Sequence, residues 1–177
     1  MTFTLHMAWH MTLVAAIAPM VAWHIRTTQF DPVRIAPALF SPLLACLVEF
    51  IVVWGWHTPA LHDAARHSVT MFAAEQASFT VAAMWLWLSI LGGTDAERRG
   101  RAASGIIALV LTFAHMTMLG ALIALAPRVL YAHDTLTLAD QQLGGAVMLA
   151  AGTVAYPLAS LWIGRSLVAP ETSEGRL

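Results

Sequence analysis

Apolar residues run through this chain in five long blocks separated by short polar breaks. The blocks are roughly Phe3 to Ile25, Ala36 to Trp56, Val69 to Leu91, Ala103 to Ala126 and Leu143 to Ile163. Each approaches the ~20 mostly apolar residues that a helix needs to cross a bilayer. None shows the alternation of a membrane barrel, and an open sheet cannot satisfy its backbone in lipid. The expected architecture is all-α: a bundle of about five transmembrane helices forming one domain over residues 1–165, with a polar tail at 166–177.

The breaks support this division. Asp31-Pro32 and Pro37 interrupt the chain after the first block, and Thr58-Pro59 follows the second. Gly92-Gly93 ends the third, and Thr94 or Asp95 is placed to cap the fourth, which ends at Ala126-Pro127. Asp140-Gln141-Gln142 reads as the cap and first turn of the fifth helix. Gly144 and Gly145 would let that helix approach a neighbour closely.

Composition narrows the function. Of 177 residues, 59% are hydrophobic and 11% charged, where a soluble domain carries about 25% charged. A net charge of −1 supplies no field for nucleic acid. All nine bases are arginines: Arg26, Arg34, Arg98, Arg99, Arg101, Arg165 and Arg176 fall on one side of the expected membrane, Arg66 and Arg128 on the other. The positive-inside rule then places the N-terminus outside and the C-terminus in the cytoplasm. Trp9, Trp23, Trp54, Trp56 and Trp162 lie near block ends, as an interfacial belt requires. Cys46, the single cysteine, is expected to be a small buried hydrophobe. No nucleophile elbow, phosphate loop or zinc-protease motif is present.

The histidines carry the candidate chemistry. With this orientation, His6, His10, His57, His62, His67, His115 and His133 all lie in the outer half, and His24 stands alone at the other end. His6 and His10 are four residues apart, as are Met7 and Met11, so each pair stacks along one helix face. His115 is followed by Met116 and Met118. Imidazole with thioether suits copper, Cu(I) above all, and serves hard cations poorly. Taken singly, each methionine is ordinary packing, and a lone intramembrane histidine is often a hydrogen bond between helices. Glu75 is placed to ligate metal, to orient a ligand imidazole, or to bond to Gln76 or Ser78. Glu49 reads as a protonated acid bonded to a neighbouring helix.

Six stretches also carry a resemblance. They are Leu5-His6-Met7-Ala8-Trp9-His10-Met11, Trp56-His57-Thr58-Pro59-Ala60-Leu61 and Glu75-Gln76-Ala77-Ser78-Phe79, then Ala114 to Gly120, Ala126 to Tyr131 and Asp140 to Gly145. In this order the sequence resembles the CtaG family of multi-span cytochrome c oxidase assembly factors. The resemblance implies a bacterial inner-membrane protein that serves haem-copper oxidase biogenesis through copper at the outer face. The matching positions are His6, His10, His57, Glu75 and His115. Members commonly carry about seven spans. Members similar to this chain usually have His where Gln76 stands, and often Tyr where His62 stands, so His62 or His67 is the expected substitute ligand.

The expected function is therefore copper handling without turnover. Copper would lie between the first, third and fourth spans, on His6, His10, His57, His115 and Glu75. Met7, Met11 and Met118 would be auxiliary ligands and His62 a substitute. Expected partners are the lipid bilayer, a haem-copper oxidase subunit or a periplasmic copper chaperone, and a further copy of the chain. The alternative is a redox subunit that binds copper, or haem b between His10 and His115. A third reading is a small subunit of a larger complex, in which the histidines only hydrogen-bond. The loop from Tyr131 to Gly145 would cover the histidines.

Overall fold

A computed structural model describes the backbone of residues 2–131 and 136–168 and the side chains of these as far as residue 165. Among these residues every regular element is helical. The first predicted span is α1 (Phe3–Thr12) and α2 (Ala18–Ile25), joined by a π-helical turn at Leu13–Ile17. Pro19 explains that turn. It has no N–H for the Ala15 carbonyl, and its ring clashes with it. The ladder widens, and the Trp87 indole donates to the Val14 carbonyl at 3.0 Å.

The second span begins later than expected. Ala36 is not helical, because Asp31-Pro32 starts a one-turn helix α3 (Pro32–Ile35) and Pro37–Leu39 forms a 3₁₀ turn. Helix α4 (Pro42–Trp56) then starts behind a Ser41 cap. Its 15 residues rise only ~22 Å at 1.5 Å each, short of a ~30 Å hydrocarbon core. At Thr58-Pro59 the chain bends by 71° into α5 (Pro59–His67). This amphipathic helix carries His62 on its buried side.

Helix α6 (Val69–Leu91) matches the third block. Helix α7 (Asp95–Ala124) starts about two turns before the expected Ala103, because Thr94 and Glu97 form a reciprocal capping box that carries the helix beyond the apolar stretch. Helix α8 (Leu138–Val168) is also longer than expected. Its cap is Thr137, whose hydroxyl accepts the Asp140 N–H at 3.1 Å. Asp140 does not cap its own helix. Its carboxylate accepts the Phe3 N–H (2.8 Å), the Thr4 N–H (3.2 Å) and the Thr4 hydroxyl (2.7 Å), and so caps α1. Sequence proximity favoured the local role, but Thr137 already filled it.

By length and hydropathy, Phe3–Ile25, Asp95–Ala124 and Leu138–Arg165 qualify as membrane-crossing, and the bent α4–α5 pair makes a fourth. Helix α6 is long enough at 23 residues, but Glu75 and Gln76 lower its hydropathy, and ten of its residues are buried in the bundle. The described helices thus support three to four spans by themselves.

The closest pairing is α7 with α8. A Cβ on Gly145 would stand 2.4 Å from the Ala124 nitrogen and 2.8 Å from the Gly120 oxygen, so backbone packs on backbone there. A Cβ on Gly144 would strike the Phe3 ring at 2.3 Å, which fixes α1 against α8. Helices α1, α4, α5 and α6 bring His6, His10, His57 and His62 together. The tail at 169–177, His133 and residues 132–135 of the covering loop lie outside the described residues.

Candidate metal centre

Three ligand atoms converge between α1, α5 and α6. One each from His6, His62 and Glu75, they lie within 4.8 Å of one another. The three residues are 1%, 2% and 1% exposed. His6 Nε2 is 3.3 Å from Glu75 Oε1, close but not aligned as a hydrogen bond. Two ligands of one ion, each at about 2.0–2.2 Å, stand about that far apart. Gln76 does not take the place of a ligand imidazole. Its amide donates to Glu75 Oε2 at 3.1 Å and holds the carboxylate in orientation. Ser78 donates to the Glu75 backbone carbonyl (2.9 Å), not to the carboxylate.

A second layer lies one turn further along α1 and α6. His10 follows His6 by four residues, and Phe79 follows Glu75 by four. The His10 ring stacks on Phe79 with centroids 4.4 Å apart and stands 5.4 Å from the His57 ring. His57 is the residue at which α4 ends, and its Nδ1 donates to the Val53 carbonyl at 2.7 Å.

The remaining predicted residues are elsewhere. His115 is buried on α7 with its ring edge-on to Phe50 of α4 at 5.3 Å. It does not belong to the His6–His62–Glu75 group. Met7 and Met11 are buried, and Met7 packs near Gly144 of α8. Met118 is half-exposed on α7, unlike buried Met116. His67 and His24 are exposed, so of the two expected substitutes it is His62 that faces the cluster. Glu49 and Cys46 are tied to α7 by the Thr112 hydroxyl, at 3.2 and 3.4 Å.

Tyr131 closes the site from the loop after α7. Its ring lies 4.2 Å from His62 and 5.3 Å from Phe3, and its hydroxyl donates to the His57 carbonyl at 3.3 Å. Burial, with Asp63 nearby, raises the pKa of that hydroxyl, so it remains a neutral donor. Gln141 of α8 holds the loop, accepting from Leu130 N–H (2.7 Å) and donating to the Arg128 carbonyl (3.2 Å). Sequence reading did not assign Phe79 to the site, though it was legible as the residue four after Glu75. It set the loop from Tyr131 over the histidines, and Tyr131 does lie on His62. Which loop residue makes the contact was not legible, since a loop has no periodicity to place it.

The comparison with known families bears on this arrangement. A model of the family described as cytochrome c oxidase caa3 assembly factor (CtaG) matches residues 1–169. The chain belongs to this family. No curated protein and no solved structure matches it. The resemblance read from the sequence is thereby shown, and it covers the helices that build the centre. By family, this CtaG chain is an assembly factor of cytochrome c oxidase, and its apolar helices make it a membrane protein.

Proposed function

We propose that this chain serves oxidase assembly by holding copper as cargo at the His6–His62–Glu75 group. One observation carries the reading: three ligand side chains from three separate helices point at one another in a buried space. Buried polar groups are ordinarily hydrogen-bonded, and here neither His6 ring nitrogen is in a hydrogen bond among the described residues. Imidazole suits copper, and the carboxylate offsets part of the charge of a divalent ion. The family's role supplies the reason for copper, since the oxidases it serves are haem-copper enzymes.

Within this reading, Gln76 and His62 form a compensated pair. The position that usually holds histidine in similar members holds an amide that orients Glu75, and the position that is often tyrosine brings an imidazole. His10 and His57 stand one layer below. His115, Met7, Met11 and Met118 are supporting at most. The chain crosses the bacterial inner membrane five times, with its N-terminus and the centre on the periplasmic side. The arginine distribution supports this orientation. The recipient is a haem-copper oxidase subunit, with a periplasmic chaperone as the source.

The test is metal content and a visible spectrum of protein purified from copper-replete cells, beside a His62→Gln/Glu75→Gln variant. Bound copper that falls by about one equivalent in the variant, with no Soret band, is the expected result. Unchanged copper would overturn the ligand set. A Soret band would move the chain to the redox class.

A further inference from the structure

The layer beneath that group has its own logic. His10 is fully buried, and among the described residues neither of its ring nitrogens has a hydrogen-bond partner. In His57 the partner of Nδ1 is a carbonyl, which can only accept, so Nδ1 carries the proton. Its Nε2 is then a bare lone pair, and that atom is also buried without a partner among the described residues. Metal-bound histidines are fixed in this way, one nitrogen bonded to backbone and the other left for the ion. Phe79 clamps the plane of the His10 ring, and the Tyr131 hydroxyl holds the backbone carbonyl of His57.

Distance separates two stations from one shared site. An imidazole nitrogen about 2.0–2.1 Å from an ion puts two ring centroids about 5–6.5 Å apart. His10 and His57 stand at 5.4 Å, and His6 and His62 at 5.5 Å. Each pair therefore has the spacing to share its own ion, and the pairs are one turn of α1 apart, ~5.4 Å.

We infer that His10 and His57 form a second metal station, free of carboxylate, which takes a monovalent soft cation: a cuprous ion held by two imidazoles. The inference rests on the proposed function for its cargo. Charge distinguishes the stations. The upper group includes Glu75 and balances part of a divalent charge. The lower pair brings no carboxylate ligand of its own, and its neighbours are the Phe79 ring and the Val53 carbonyl. There a single charge costs far less to desolvate than a double one. Two nitrogen ligands satisfy a cuprous ion and leave zinc or magnesium short of ligands.

The test uses the full chain in detergent micelles, titrated anaerobically with Cu(I) against a competing chelator. Copper X-ray absorption then counts the ligands. The wild-type chain is expected to bind two equivalents. The His62→Gln/Glu75→Gln variant should keep one, bound by two nitrogens. His10→Gln and His57→Gln should each lose that one and keep the other. A single wild-type equivalent, lost in His62→Gln/Glu75→Gln and retained in His10→Gln, would overturn the second station and leave the first. Copper indifferent to His62→Gln/Glu75→Gln but lost in His57→Gln would overturn the first and leave the second. Elution and circular dichroism report folding. If the histidine variants do not fold, the ligand count in His62→Gln/Glu75→Gln decides: two nitrogens support the station, and a sulfur or carboxylate oxygen overturns it.

Discussion

Two buried polar centres lie near opposite ends of helix α6, and they are built on opposite principles. Near its C-terminal end is Asp31, fully buried, whose carboxylate accepts the Val33 N–H at 3.0 Å and the Gly93 N–H at 2.7 Å, with Arg34 3.6 Å away. Around it Arg101 donates to the Ser89 carbonyl (3.1 Å) and the Gly92 carbonyl (2.7 Å), and Arg98 reaches the Gly93 carbonyl. Gly93 has a φ of 81°, and a Cβ on Gly92 would meet Val33 at 2.4 Å, so only glycine fits this turn. Near the other end of α6, His6, His10 and His57 hold ring nitrogens that meet no hydrogen-bond partner among the described residues. The first centre is closed by its own hydrogen bonds and holds the fold. The second leaves buried ring nitrogens without hydrogen bonds among the described residues, which is costly, and it is there that we propose the ion.

The contrast is sharpest under mutation. Asp31→Ala should cost about 3–5 kcal/mol, because two backbone donors lose a charged acceptor inside the protein. Detergent unfolding would show it, and copper binding by the folded fraction should be unchanged; altered stoichiometry would mean that the two ends are coupled. Gly145→Ala should cost about 1–3 kcal/mol, since its Cβ meets only backbone and α7 and α8 must separate. A wild-type melting temperature would show that this crossing is looser than the structure has it. Asp140→Asn should cost about 1 kcal/mol through weaker capping of α1. That change touches the helix carrying His6 and His10, so copper affinity should fall slightly while stoichiometry holds. A variant with full capping strength and lost copper would break the division between scaffold and centre.

The sequence revealed the scaffold in outline because burial in lipid writes long apolar blocks. Each of the five blocks holds a helix, though the second starts at Pro42 rather than Ala36, and of the two caps read for the fourth, Thr94 or Asp95, it is Thr94 that caps. The α4–α5 bend and the one-turn helix α3 were not legible, since short elements beside prolines have too few residues to show a period. The centre was legible by element. His6, His10, His57 and Glu75 were read as ligands and His62 as a substitute, and all of them meet around the two layers. Their grouping was not legible. Depth along a helix can be counted from a sequence, but facing across the bundle depends on rotation, and that put Phe50 rather than a ligand beside His115.

The π turn at Leu13–Ile17 has a consequence for that rotation. Each residue advances a helix by about 100°. Upstream of the turn the inward residues are His6, Met7, His10 and Met11, and downstream they are Ala18 and Ala22. Buried Val14 falls between them, and Met7, Met11, Val14, Ala18 and Ala22 keep one inward stripe across the turn. The Val14 carbonyl that the turn frees is held by the Trp87 indole of α6. The widened turn is thus a pinned hinge: the ladder opens there, yet both halves keep one keel against the bundle.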